Sequence, residues 1–434
     1  MFAYYCNLAL RSFRRNKVLT ALMVLAIALG IGASMTTLTV FHVLSGDPIP
    51  DKSDRLFRVQ LDPELLAGYT PGDEPQEDLS RYDAETLLQQ KQAKRQALMT
   101  GGSVTIEPAG GALKPFMLEA RYTSADFFAM FDVPFLYGRG WSASDDAGQA
   151  RLVVIAKALN DKLFGGADST GKTLRVDGHD FQIVGVTGDW SPKPHFHDLN
   201  VGTYNTDEQV FEPFQTAIGL KQTRNGTMNC YGEVATIDGT ARDAPCAWIQ
   251  YWVELDSGGK AADFKAYLDR YSQQQHDAGR YQRPPNTRLR DVMQWLDYKH
   301  AVPGDVRLQL WLAMGFLLVC LVNTVGLLLA KFLRRSGEIG VRRALGASRL
   351  EIFKQCLVEA GSIGLSGGVL GLGLAELGLW AVRHRPTQYA ALAHLDGSML
   401  LLTFVLALVA SLLAGLLPAW RAMQITPAVQ LKTQ

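Results

Sequence analysis

Long apolar blocks stand at the two ends of the chain, with a polar stretch between them. Val18 to Val40 runs without a charge. At about 1.5 Å per residue it reaches about 35 Å, enough to cross a hydrocarbon core of about 30 Å. The run is long for a signal peptide and no small-residue cleavage site clearly follows, so the pattern predicts a retained helix. Three further apolar runs, 308–332, 353–382 and 399–420, predict four transmembrane helices in all. The polar middle, 45–307, separates the first from the second.

Within that middle, shorter patterns predict mixed α and β structure. Arg55 to Leu61 alternates like a half-buried strand. Leu79 to Leu98 is polar and helical in tendency, and Ser103–Ile106 and Leu152–Ile155 read as strands. A helix is predicted through Leu163-Phe164, a short one from Asp126, and another over Ala262–Tyr271. Thr173–Val176, the turn Asp177-Gly178 and Phe181–Val186 predict a hairpin. The fold class is therefore a four-helix membrane protein with a large α+β domain inserted between the first two helices.

Charge adds direction. Arg11, Arg14, Arg15 and Lys17 precede the first helix, and Lys331, Arg334, Arg335, Arg342, Arg343, Arg349 and Lys354 cluster between the second and third. Cationic loops stay in the cytoplasm, which predicts both termini inside and the middle outside, in the periplasm of an inner-membrane protein. The turn 383–396 also falls outside, although Arg383 and Arg385 lie in it. With 43 basic and 42 acidic residues, nothing points to nucleic acid.

Of five cysteines, Cys6, Cys320 and Cys356 fall in or beside apolar segments. Cys230 and Cys246 lie in the polar middle, where an oxidising compartment favours a disulfide worth about 3 kcal/mol. The alternative is two buried free thiols. Small residues recur four apart at Ala26, Gly30 and Ser34, at Gly364, Gly367, Gly368 and Gly371, and at Ala407, Ser411 and Gly415. They mark close helix packing, either inside one chain or against a partner chain in the membrane. Asn323, Glu359 and Glu376 are polar groups in apolar helices. Each carboxylate lies near a helix end, with no opposing ionisable array, so no ion path is predicted.

Two motifs mislead. Gly166–Thr173 matches G-x-x-x-x-G-K-T, but a helical segment precedes it and a strand follows, the reverse of a phosphate loop. Leu365-Ser366-Gly367-Gly368 resembles the start of an ATPase signature inside an apolar helix, where no nucleotide reaches it. His179, His195 and His197 lack further ligands at zinc spacing and read as surface or loop histidines, so no metal is expected. No nucleophile–base set is present, and the chain is expected to have no catalytic residues.

The stretch Leu333–Arg349 carries the most information. Ser336 or Gly337 can cap a short helix, Glu338 suits its dipole, and Gly346 can end it. Ser348 and Glu351 have capping-box spacing for the next helix. Such a piece, joined rigidly to two spans, can transmit a push.

The sequence Glu338-Ile339-Gly340-Val341-Arg342-Arg343-Ala344-Leu345-Gly346 resembles the coupling segment of MacB/FtsX-type permeases. Val322–Ala330 before it resembles the same family, as do Pro418–Ala422 and Thr426-Pro427-Ala428 after the last helix. Phe135–Arg139, Leu163–Gly166, Gly171-Lys172 and Phe181–Val186 resemble the MacB periplasmic core, in the order seen there. The resemblance implies an ABC system of the mechanotransmission type, with residues 337–346 as the coupling helix. It implies a separate cytoplasmic ATPase dimer that holds the ATP and Mg, so this chain itself carries no cofactor. It implies a second permease, identical or paralogous, and an adaptor and outer-membrane channel. By position, 47–108 and 247–307 would form a porter part and 109–246 a sabre part, with an FtsX-like domain over 308–434 and residues 1–44 as the amphipathic N-terminus and first helix. Export of drugs, peptides or other envelope molecules is the leading expectation. Lipoprotein extraction of the LolC/LolE type and FtsX-like regulation of cell-wall hydrolases are the alternatives.

Overall fold

The computed structural model describes residue 13 and residues 17–108, 113–200, 202–204, 207–233, 238–384, 394–395 and 397–424. Cys6, Arg11, Arg14, Arg15, Arg385 and the Thr426-Pro427-Ala428 motif lie outside the described residues. The chain forms two compact units. One is Gly46–Ala301, and the other joins Met1–Ser45 to Val302–Gln434.

Four helices of the second unit are long and apolar enough to span a membrane: α1 (Lys17–Ser45), α9 (Gly304–Arg334), α11 (Arg349–Arg383) and α12 (Gly397–Met423). Each outruns its apolar core by a few residues at one or both ends, because flanking polar residues continue the helix. Over its apolar stretch α1 is 56% buried, against 28–33% for the others, so the other helices gather around it. The small residues explain how. Gly367 and Gly371 face Ile27 and Ile31 of α1, while Gly364 and Gly368 of α11 face Ser411 and Ala407 of α12. Gly415 of α12 faces Ala360, and Ser34 donates to the Ala313 carbonyl at 3.1 Å. These stripes are spent inside one chain: a Cβ at Gly364, Gly367, Gly368 or Gly415 would collide with a neighbour, and one at Gly371 would sit tightly against Ile31. Leu308, Trp311, Leu312, Leu318 and Val322 stay exposed on α9, as a lipid-facing surface requires. Asn323 is exposed beside them.

The inserted unit is built on one mixed sheet. Its strands are β1 (Leu56–Gln60), β2 (Leu79–Ser80), β3 (Arg95–Glu107), β4 (Phe116–Thr123), β5 (Phe135–Gly138), β6 (Leu152–Ala156), β7 (Thr173–Val176), β8 (His179–Thr187), β9 (Val210–Pro213), β10 (Asn229–Cys230), β11 (Cys246–Glu254) and β12 (Arg288–Asp291). The main path is β12-β1-β11-β3-β4-β9-β6-β8-β5. The pairs β4–β9 and β6–β8 are parallel, and the others on this path are antiparallel. The helices are α2 (Arg81–Gln90), α3 (Phe127–Met130), α4 (Ala143–Ala147), α5 (Lys157–Phe164), α6 (Phe214–Gly219), α7 (Ala261–Asp277) and α8 (Val292–Tyr298). The long strand β3 pairs with β11 on one side and β4 on the other, so the sheet runs unbroken between the segments before and after residue 108.

Two expectations about local structure need correction. The alternation at 55–61 predicts a half-buried strand, yet all five residues of β1 are buried. The strand lies between β11 and β12 with both faces covered, and Arg58 is enclosed because Asp78 pairs with it at 2.5 Å. The helical tendency of 79–98 survives only over Arg81–Gln90. The helix stops at Lys91 in a left-handed conformation (φ 48°), and Arg95–Leu98 join β3. Cross-strand pairing with β11 outweighs the weak helix propensity there.

The β7–β8 hairpin turns at Asp177 and Gly178, whose φ values of 44° and 76° suit a two-residue primed turn. Cys230 and Cys246 sit directly opposite on β10 and β11 and are joined as a disulfide.

Candidate functional site

The short helix α10 (Ser336–Ala344) stands between α9 and α11. Neither Ser336 nor Gly337 caps it. Arg335 occupies the cap position without a side-chain cap, because α9 runs to Arg334 and leaves a one-residue joint. At the other end the helix closes at Leu345, and Gly346 reverses the chain with φ 101°. Ser348 and Glu351 form a capping box: Glu351 N donates to Ser348 Oγ at 3.2 Å, and Ser348 N to Glu351 Oε2 at 2.8 Å. Both junctions are therefore short and geometrically defined.

A chain of charges binds α10 to its neighbours. Lys331 of α9 pairs with Glu359 of α11 at 2.8 Å and also donates to Thr20 Oγ1 at 3.2 Å. Arg335 reaches Glu359 at 3.0 Å and Glu338 at 3.3 Å. Arg342 joins Glu338 at 3.0 Å and Gln355 Oε1 at 2.9 Å. Arg343 donates to the Met423 carbonyl at 3.4 Å. Ile339 and Gly340 are buried against the bundle. Val341, Ala344 and Leu345 lie on an exposed face, with Val341 57% and Leu345 84% exposed. Glu338, Arg342 and Arg343 thus engage neighbours within their own chain, whereas the apolar face stays exposed.

The reading that Glu359 meets no opposing ionisable array is corrected. Lys331 and Arg335, four apart on the preceding segment, converge on it, and its side chain is only 4% exposed. The spacing of those two cations was the available signal. Their partner is set by how α9 and α11 pack. Glu376 pairs with Arg383 at 2.7 Å.

The inserted unit carries its own buried charges. Arg121 is held between Asp198, at 2.5 Å, and Glu208. His197 contacts Glu208 at 3.2 Å, and His195 and Lys193 contact Asp207 at 2.8 and 2.7 Å. His195 and His197 lie on a loop but are buried, not at the surface, since Trp252 Nε1 donates to the His197 carbonyl and aromatic rings close over them. Burial pushes the His197 imidazole down, against the pull of Glu208. No group of three metal-ligating side chains occurs among the described residues.

The segment 166–173 is a turn between α5 and β7. Asp168 accepts the Thr170 amide at 2.9 Å and its hydroxyl at 2.8 Å, so a local turn uses the space a phosphate would need. Leu365–Gly368 is internal to α11.

Glu212 on β9 is fully enclosed, and its Oε1 has no partner among the described residues. Burial, helped by Asp177, pushes its carboxyl up to about 8. The folded chain then keeps a proton that the unfolded chain releases above about 4.5. Stability falls as pH rises from about 4.5 to about 8. Glu212→Gln is expected to match the parent near pH 4.5 and exceed it by ~2–4 kcal/mol at pH 8, read from urea midpoints. An advantage that does not grow with pH contradicts this.

The family model described as MacB-like periplasmic core domain matches residues 20–271, and that described as FtsX-like permease C-terminal matches 311–427. The chain is 24% identical, over 98% of its length and 59% of the relative's, to the macrolide export ATP-binding/permease protein MacB of Azoarcus sp. (strain BH72). It is 24% identical, over 96% of its length and 57% of the relative's, to the pyoverdine export ATP-binding/permease protein PvdT of Pseudomonas aeruginosa. The chain spans little more than half the length of these curated relatives. The periplasmic region of MacB from Actinobacillus actinomycetemcomitans aligns with 59% of the chain and 97% of its own, at 12% identity and a TM-score of 0.38.

Proposed function

Because the chain belongs to the MacB-like periplasmic core domain family and carries an FtsX-like permease segment after that domain, we propose that it is the permease subunit of an ABC transporter whose ATPase is a separate polypeptide. The ATPase dimer holds ATP and Mg at the cytoplasmic face, where both termini and α10 lie. Its closure pushes α10 as a lever. The Glu338–Arg335–Glu359–Lys331 chain passes the push to α9 and α11. The helices α1 and α9 lead covalently into the inserted unit, which works in the periplasm on an exported drug, peptide or other envelope molecule. A second permease, identical or paralogous, completes the pair, and an adaptor and outer-membrane channel carry the substrate onward.

The observation that carries this reading is the two-sided character of α10: one face is ion-paired to its own bundle, and the other presents Val341, Ala344 and Leu345. An exposed apolar face rimmed by charged residues fits a docking surface for a protein. Leu345→Asp removes only exposed apolar area, so the chain is expected to fold and reach the membrane normally. ATPase activity stimulated by the permease, and export, are expected to drop about tenfold or more. Full stimulated activity with full export in that variant overturns the assignment.

A further inference from the structure

A cavity of about 430 Å³ opens within the inserted unit, between α2, the start of β3, Ser124–Asp126 and α4. That size suits a small organic molecule. Four polar side chains that line it are nine-tenths or more buried: Glu85 at 8%, Asp146 at 6%, Gln96 at 4% and Ser124 at 4% exposure. Asp146 Oδ1 accepts the Gln215 amide at 2.8 Å, while Oδ2 has no partner among the described residues. Gln96 Nε2 donates to the Leu87 and Leu88 carbonyls, both at 3.3 Å. Two carbonyl acceptors at one end fix the amide orientation, so Oε1 is the end left over, and it too has no partner among the described residues. Ser124 Oγ already accepts the Leu98 amide at 3.3 Å.

The cavity therefore offers two unspent acceptors, one of them a carboxylate. Leu88, Ala93 and Ala125 supply an apolar wall. The other charges nearby are already engaged or lie outside. Glu85 is taken by Arg81 and Arg242, Lys94 pairs with Glu254, and Lys91 and Asp126 are exposed at the rim. A buried carboxylate with a missing donor calls for a cation, and an apolar wall calls for an organic one.

We propose that this cavity binds a small organic ammonium ion, its N–H groups donating to Asp146 Oδ2 and Gln96 Oε1 and its apolar body lying against Leu88 and Ala125. Naming that ligand as cargo rests on the transporter reading above; the site itself rests on the geometry alone. Burial, with Glu85 adding repulsion and the Gln215 amide opposing, pushes the Asp146 carboxyl up to about 6. An arriving ammonium ion would hold it ionised, so affinity falls as pH drops below about 6.

The full chain in lipid nanodiscs is titrated with 4-fluorophenethylamine and, separately, with its uncharged twin 2-(4-fluorophenyl)ethanol, by fluorine NMR. Saturable binding of the amine is expected near neutral pH, with the alcohol weaker by about tenfold or more. Asp146→Asn keeps an acceptor for the Gln215 amide and is expected to weaken the amine by a similar factor without lowering Tm. Ala147→Phe, at an exposed position on the cavity wall, is expected to abolish binding by filling the space. Equal affinity for amine and alcohol, unchanged binding in Asp146→Asn, or no saturable binding overturns the proposal. Amine binding with no export by the parent chain would leave this site standing and remove the transporter reading. Export by the parent chain with no amine binding would do the reverse.

Discussion

Glu359→Gln is expected to destabilise the four-helix unit by about 3–5 kcal/mol and, on the proposed transporter reading, to uncouple ATP hydrolysis from export. The change removes a carboxylate that faces both Lys331 and Arg335. The Lys331 side chain is completely buried, with Thr20 Oγ1 at 3.2 Å as a neutral acceptor. Arg335 retains Glu338, but Lys331 would be left as a charge in an apolar bundle with no carboxylate beside it. Lys331→Met in the same chain removes that stranded charge and is expected to recover most of the stability. The stability arm is read by thermal unfolding in detergent, and the coupling arm by ATPase activity and export measured together. Full stability in Glu359→Gln means that the cluster does not hold the bundle. Full stability with lost coupling separates its mechanical role from its structural one.

Arg121→Met is expected to cost the inserted unit a similar ~3–5 kcal/mol at neutral pH. Arg121 is 1% exposed, and both of its carboxylate partners, Asp198 and Glu208, are nearly as enclosed. Burial alone would raise the Glu208 carboxyl; Arg121 first and His197 second override it and hold it well below the ordinary value. In the parent chain this contribution is complete above about 4.5 and is lost as pH falls through the lower folded value. Without Arg121, burial is unopposed by the guanidinium, and the Glu208 carboxyl takes up a proton more readily. The deficit of Arg121→Met is therefore expected to be largest near pH 7 and to shrink toward pH 5, as urea unfolding of the full chain would show. A deficit independent of pH would mean that Arg121 contributes packing rather than charge. His197 adds a slope of its own. Its imidazole is held below the usual 6.5, so the folded state refuses a proton that the unfolded chain accepts, and stability declines as pH falls below about 6.5.

The elements legible from residue pattern share one property: their signal is local. The four spans follow from runs of about twenty apolar residues, a length the bilayer dictates. The β7–β8 hairpin follows from Asp177-Gly178, because positive φ at both turn positions is a residue-level demand. The capping box at Ser348 and Glu351 is visible for the same reason. The phosphate-loop decoy also yields to local order, since a helix stands where a strand would be needed.

What failed depends on neighbours distant in sequence. The 79–98 stretch loses its second half to β3 because β11, some 150 residues away, offers a pairing edge. The alternation at 55–61 implies a wet face, but β12 and the Asp78 carboxylate close it. His195 and His197 look like loop histidines and are loop histidines, yet the Trp252 indole and a ring of phenylalanines bury them. Glu359 looks like an isolated carboxylate until α9 and α11 pack.

By itself, the amino-acid sequence determined that the chain has four apolar helices, that one large polar domain separates the first two, and that a short helix joins the second to the third. Hydrophobic length, charge and turn chemistry are properties of consecutive residues, and they suffice for that. Only the tertiary structure decided that the small-residue stripes pack within one chain, that Glu359 is met by Lys331 and tied to the short helix through Arg335, and that Asp146 and Gln96 meet at one cavity. Burial and pairing of polar groups are set by which segments meet, and no local pattern encodes that meeting.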